Sequence, residues 1–234
     1  MRGIGKLAAT GGIYNSSLII LAALCLLASQ ISKAQTNDPE VETSTATNHP
    51  AKPPVESELI YEGEGCYGHF HIFTQTWWSD FYSGGIEYDR NSWGHFIGAR
   101  KDYVAEILPV AILTQPAKTD IWGDPQSTNR VTLAGLAISP IGLRMMWRYN
   151  KHYKPYFIAK GGVIAFDKKA ISQDATYQNF LLQIGIGVQA KLTRRLDLRV
   201  GGGYLHFSNA FMAPSNPGID VMTYNGGLSY HSGK

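Results

Sequence analysis

The stretch Phe180-Leu181-Leu182-Gln183-Ile184-Gly185-Ile186-Gly187-Val188-Gln189-Ala190-Lys191-Leu192 decides the fold. Successive side chains of an extended strand point to opposite faces. Phe180, Leu182, Ile184, Ile186, Val188, Ala190 and Leu192 therefore share one face, and Gln183, Gly185, Gly187, Gln189 and Lys191 share the other. The alternation outlasts a globular strand of about 5–6 residues. Its length suits a tilted strand that crosses a membrane with some overhang.

The same pattern recurs outward from this stretch. Ile141, Leu143, Met145 and Trp147 oppose Arg144, Met146 and Arg148, while Ile86 and Tyr88 oppose Glu87 and Asp89. Tyr103 to Leu113 shows a weaker version, with Glu106 as its only charge. The polar faces then collect Glu87, Asp89, Glu106, Arg144, Arg148, Lys191, Asp197 and Arg199, with both signs in similar number. A narrow barrel neutralises such charges by pairing them inside, whereas a sandwich core does not hold so many. Trp77, Trp78, Phe81, Tyr82, Trp93, Trp147, Tyr149 and Tyr153 cluster near expected strand ends, as interface girdles do.

Turn signals at Asn91-Ser92, Gly123-Asp124-Pro125, Asn150-Lys151 and Thr193-Arg194-Arg195 divide the chain. They predict an all-β fold, a small antiparallel up-and-down transmembrane β-barrel of about eight strands. A barrel of that size is filled by side chains, which argues against a transport channel. A soluble sandwich is the alternative, because each barrel strand carries a weak signal by itself.

The N-terminus reads as a secretory signal peptide over residues 1–34. Arg2 and Lys6 precede a short apolar run from Ser17 to Ala28, and Ser32-Lys33-Ala34 fits small-residue cleavage before Gln35. Removing it takes away Arg2, Lys6 and Lys33 and no acid, so the formal charge falls from +3 to 0. That balance argues against nucleic-acid binding, which wants a clustered basic surface. Cys66 is then the one cysteine left, so no internal disulfide holds the fold. Residues 35–58 are rich in Thr, Pro, Asn and Glu and read as a disordered linker. Residues 59–234 form the barrel domain.

Chemistry concentrates near the end of the chain. His206 and Ser208 lie two apart on the strand Leu196 to Ser208, so an imidazole can reach a hydroxyl on one face. Their face also holds Leu198, Val200 and Tyr204, while the opposite face carries Asp197, Arg199, Gly201 and Gly203. Asp220 follows the turn Asn216-Pro217-Gly218 and shares the face of Met222 and Tyr224. A base, a hydroxyl nucleophile and an orienting acid thus continue the apolar faces of two strands, which in a barrel face lipid. The plain reading is polar decoration and a capped turn.

The His206-Phe207-Ser208-Asn209-Ala210 element, the Ser215-Asn216-Pro217-Gly218-Ile219-Asp220 turn and the closing Gly227-Leu228-Ser229-Tyr230 strand resemble the lipid A 3-O-deacylases. Lys154-Pro155-Tyr156-Phe157-Ile158-Ala159-Lys160-Gly161-Gly162 is similar to another strand of that family. The resemblance covers roughly residues 80–232 in layout and is specific over the last thirty or so. It implies an outer-membrane serine esterase that removes an ester-linked acyl chain from lipid A, with no metal and no cofactor. The family's triad is His-Ser-Glu. His206 and Ser208 match two members, and Asp220 stands where glutamate is usual. A register that pairs His206 with Asp220 across the hairpin would let the shorter acid reach, since opposed Cβ atoms lie about 4.5–5.5 Å apart. The family's glycine just past this element is here Phe211. Asn209 and Asn216 are assigned as oxyanion donors, and Tyr204, Leu205, Phe211 and Met212 as the lining of an acyl path.

Cys66, His69 and His71 are metal-capable, but the sequence supplies no fourth ligand, and they read as a strand end. Gly201-Gly202-Gly203 has no helix after it, so it reads as a bend or an acyl groove rather than a phosphate loop. The expected partner is lipid A in lipopolysaccharide, and a homodimer is the self-association left open. The alternatives are a non-catalytic small barrel with a structural or adhesion role and a secreted lipid-binding sandwich.

Overall fold

The structure is a computed structural model that describes residues 56–69, 72–74 and 79–232. The expected signal peptide, most of the expected linker and Trp77-Trp78 lie outside these residues. The described residues all belong to one compact unit, Lys52–Lys234.

Eight antiparallel strands close into a barrel in chain order. They are β1 (Ser57–His69), β2 (Asp80–Phe96), β3 (Ala99–Pro116), β4 (Arg130–Trp147), β5 (Tyr153–Phe166), β6 (Gln178–Lys191), β7 (Leu196–Ser208) and β8 (Ile219–Ser232). Pairing of β1 with β8 closes the sheet, which removes the free edges that would otherwise template aggregation. β1 starts inside the stretch read as linker. β2 runs through Asn91-Ser92, and the turn falls instead at Ile97-Gly98, where both residues have positive φ. The register slips between Asn91 and His95, so the polar pair marks an irregularity rather than a strand end. The other three turn signals fall between strands as expected.

The wider gaps between strands, after β1, β3, β5 and β7, fall at one end of the barrel, whereas residues 97–98, 148–152 and 192–195 make short turns at the other end.

The alternation sorts as read. On β6, Phe180, Leu182, Ile184, Ile186 and Val188 are exposed, and Leu181, Gln183 and Gln189 are buried inside. An Ile186→Arg change places a charge midway along this outer wall, where Ile186 is 68% exposed. We expect a loss of about 2–4 kcal/mol, measured by urea unfolding in detergent micelles or lipid vesicles.

Two kinds of interior fill the barrel. Towards the long loops, Phe81, Leu113, Leu133, Phe166, Leu205, Phe207, Ile219 and Val221 form an apolar plug. Phe207 stands at its centre, 5.7 Å from Phe81 and 5.8 Å from Phe166 between ring centroids. Phe81 is therefore a core residue and not part of a girdle. Below the plug lies a network of buried ions. Arg144 contacts Asp89 at 2.6 Å, Asp102 at 2.7 Å and Glu58 at 3.1 Å. Lys160 reaches Glu87 at 2.8 Å and Glu62 at 3.3 Å and also bonds Glu106. Arg199 pairs with Glu87, and Lys154 with Asp197.

Two members of the expected inward set are corrected. Arg148 is exposed in the turn after β4 with φ 52°, and Lys191 is exposed at the end of β6. The acids Glu58, Glu62, Glu64 and Asp102 and the bases Arg100, Lys154 and Lys160 join instead. Acids thus outnumber bases inside, contrary to the expected parity of signs. Of the glycines of β7, Gly201 is explained by the same network. Gly201 faces Gly187 of β6, and a Cβ on either would strike the Tyr156 hydroxyl. The space they leave lets the Tyr156 ring lie 4.6 Å from the Arg199 guanidinium.

Candidate active site

Leu205 and Phe207 are buried in the plug, and that burial turns the intervening His206 and the following Ser208 to the outer wall. The β7–β8 ladder pairs His206 directly with Asp220. The Ser208 Oγ lies 3.2 Å from His206 Nε2, and His206 Nδ1 lies 2.6 Å from Asp220 Oδ1. A carboxylate only accepts, so Nδ1 carries the proton and Nε2 is free to accept from the serine hydroxyl. All three expected residues are therefore brought together in the order acid, imidazole, hydroxyl.

Their exposures differ in an instructive way. The His206 side chain is 17% exposed, whereas that of Asp220 is 0% exposed although its strand face points outward. The cover comes from residues the sequence did not flag. Backbone N–H groups of Ile72, Phe73 and Thr74 donate to Asp220 Oδ2 at 2.9, 2.7 and 3.0 Å. One oxygen thus serves the imidazole and the other is held by main chain. No periodicity or motif in residues 72–74 signals this, because the donors are backbone groups that any residue but proline supplies.

The loop after β7 is held by Asn209. Its Nδ2 donates to the Ser215 carbonyl at 2.8 Å, and its Oδ1 accepts from Phe211 N–H at 3.0 Å. The Asn209 N–H in turn donates to Asn216 Oδ1 at 2.9 Å. The Asn209 side chain therefore braces the loop at both ends. Asn216 keeps its Nδ2 as a donor. Of the expected acyl-path residues, Phe211 and Met212 are exposed on this loop and Tyr204 is half-buried on the outer wall. Leu205 is fully buried in the plug and is not part of any outer path. Phe180 and Leu182 of β6, opposite Ser208 and His206, complete the wall beside the site.

Gly218 closes over the group with φ +63°. A Cβ there would lie 2.5 Å from Thr74 Cγ2, 3.4 Å from Ser208 Cβ and 3.5 Å from His206 Cε1. Gly218→Ala meets both backbone strain and a steric clash. A displacement of the group by about 1 Å is enough to lower turnover roughly 10²-fold. We expect that loss in an ester-cleavage assay, with the heat-modifiable gel shift of a folded barrel retained.

A family model for lipid A 3-O-deacylase, PagL, matches residues 69–229. The chain belongs to the PagL family. Among solved structures it is similar to the outer membrane enzyme PagL, at 18% identity over 74% of this chain and 97% of that one, with a TM-score of 0.49. It is also similar to Neisserial surface protein A (NspA), at 13% identity over 75% and 94%, with a TM-score of 0.38. No curated protein matches the chain. Family and fold together make this an outer-membrane barrel.

Asp220 reaches His206 because the ladder sets the two residues opposite each other. Phe211 has φ +63°, a left-handed conformation that favours glycine and strains a bulky side chain. Its bond to Asn209 holds that conformation.

A metal site was the lesser expectation from Cys66, His69 and His71. Cys66 is buried in the apolar plug, and the side chains of His69 and His71 lie outside the described residues. Among the described residues, Glu62, Glu87 and Glu106 form a carboxylate cluster. The Lys160 ammonium bonds all three, which accounts for their convergence.

Proposed function

We propose that this chain is an outer-membrane esterase that removes the ester-linked acyl chain at the 3 position of lipid A. Ser208 is the nucleophile, His206 the general base and Asp220 the orienting acid. The observation that carries this reading is the outward Ser208–His206–Asp220 chain of contacts at 3.2 and 2.6 Å on a membrane wall. An ester whose acyl chains lie in a bilayer reaches such a serine by lateral diffusion.

In the first half-reaction the Ser208 hydroxyl gives its proton to His206 Nε2 while Oγ bonds the ester carbonyl carbon. Asp220 holds the resulting imidazolium. The Asn216 amide donates to the oxyanion, a contact worth about 3–4 kcal/mol in the transition state. Collapse breaks the bond to the sugar oxygen, which takes the proton from Nε2. Water then repeats the sequence on the acyl-enzyme and releases a free fatty acid. The Asn209 side chain supports the loop that presents Asn216, rather than donating itself. Tyr204, Phe211 and Met212, with Phe180 and Leu182, line the acyl path.

Long loops of outer-membrane barrels lie outside the cell and short turns in the periplasm. With that orientation the group would lie at the outer leaflet, where the lipid A moiety of lipopolysaccharide resides. Export by the signal peptide over residues 1–34 fits the same destination. The family match supports no homodimer, and the mechanism needs none, because the three residues and their supports come from one chain.

The test uses the purified barrel in detergent micelles, offered lipid A with an ester at position 3, lipid A lacking that ester, and a diacyl phospholipid. Fatty-acid release from the first alone is the expected result. Release from the phospholipid at an equal rate would make the chain a general lipid esterase, and no release from any would favour a structural or adhesion barrel.

A further inference from the structure

The segment Ile72–Thr74 contacts both the acid and the base of the site. Its three N–H groups converge on Asp220 Oδ2, and that of Phe73 makes the shortest contact, 2.7 Å. Of the three residues, Phe73 alone is seen to touch the imidazole with its side chain. Its ring centroid lies 5.3 Å from that of His206 at an interplanar angle of 69°, and 6.3 Å from that of Tyr204 at 60°. The ring is 67% exposed, so filling the core does not explain it.

We propose that Phe73 is a positioning residue of the hydrolase site, fixing Asp220 through its main chain and His206 through its ring. The inference rests on the serine-esterase reading above. Its physical basis has two parts. A carboxylate with one oxygen held by three amides keeps its other oxygen aimed at Nδ1 and does not swing with solvent. The imidazole becomes cationic when it takes the serine proton, and the face of an aromatic ring is attracted to that charge more than to the neutral imidazole, so the face of Phe73 is taken as the side that meets His206. The contact therefore strengthens on the way to the transition state, which is where it raises kcat rather than lowering KM. The side chain adjoins the lipid wall, so a plain acyl contact is the rival role, and it predicts the opposite split.

Three variants separate these roles. Phe73→Leu keeps volume and apolar contact but has no π face, Phe73→Ala removes both, and Phe73→Tyr keeps the ring. All three retain the backbone N–H. Each is refolded, checked by heat-modifiable gel mobility, assayed on ester-bearing lipid A, and labelled with a fluorophosphonate that reports Ser208 reactivity without a lipid substrate. We expect Leu and Ala to lower kcat and the labelling rate about tenfold with KM within about twofold, and Tyr to restore both. Wild-type kcat and labelling in Phe73→Leu, or a loss confined to KM, would overturn the proposal while leaving the esterase reading intact. A wild-type chain that neither cleaves lipid A nor labels at Ser208 would remove the esterase reading, and this inference with it.

Discussion

If Ser208 and His206 act as proposed, we expect Ser208→Ala and His206→Ala each to lower the rate of acyl release by about 10⁴-fold or more, with the double variant losing little beyond either single change. The reason is that neither group works alone. A serine hydroxyl without a base is a weak nucleophile, and an imidazole without the hydroxyl has nothing to deprotonate but water. With Ser208 Oγ at 3.2 Å from Nε2, removal of either atom breaks the same proton transfer. Neither change touches the plug, since both side chains point outward while Leu205 and Phe207 keep β7 in place. Fold and activity therefore separate. Initial rates of fatty-acid release from micellar lipid A, read beside heat-modifiable mobility, check this. Additive losses in the double variant would show that the two residues do not act as a unit.

The second large effect is on stability. We expect Arg144→Met to destabilise the barrel by about 3–5 kcal/mol, because Asp89 then keeps only Arg199 at 3.6 Å, and Glu58 and Asp102 must share Arg100. Arg144 is fully buried and pairs with Glu58, Asp89 and Asp102 from β1, β2 and β3 while itself standing on β4. Four neighbouring strands thus meet at one guanidinium, whose planar fork serves several carboxylates at once. Lysine at this position recovers only part of the loss, as a point charge cannot reproduce those contacts. Adding Asp89→Asn and Asp102→Asn to Arg144→Met returns part of the stability, since fewer uncompensated charges remain. Urea titrations in micelles, followed by the folded and unfolded gel bands, measure all of these. Full additivity of the three changes would contradict a shared network.

Much of the fold was legible because a barrel wall imposes a strict period of two. Phe180 to Leu192 shows it openly, and the structure keeps every apolar residue from Phe180 to Val188 on that face outside. The errors arose where periodicity is silent. Arg148 continued the parity of Arg144 on paper, but the strand ends at Trp147 and the next residue turns left-handed. Glu58, Glu62 and Glu64 were overlooked because β1 alternates acids with tyrosine and glycine, which reads as polar sequence until partners appear across the lumen. Glu62, Glu87 and Glu106 come together through the β1–β2 and β2–β3 pairings, but Lys160 of β5 reaches them only across the lumen, which no sequence pattern shows.

The candidate site divides in the same way. His206, Ser208 and Asp220 were readable because side-chain chemistry, strand parity and a turn coincide within one hairpin. For Asn209 the sequence leaves two roles open, since an amide can donate to a substrate or brace a loop, and its bonds to Ser215 and Phe211 fit the second. The support from Ile72, Phe73 and Thr74 was not readable, because it is delivered by main chain from a loop more than 140 residues away.

The central claim is that Ser208 cleaves the 3-linked ester of lipid A. Mass spectrometry of lipid A from Gram-negative cells expressing the intact chain, beside cells expressing Ser208→Ala at equal level in the outer membrane, addresses it most directly. Cells with the intact chain are expected to lose the mass of one ester-linked acyl group, assigned to position 3 by fragmentation, and the Ser208→Ala cells to keep it. Unchanged lipid A in both, or the same loss in both, would contradict it.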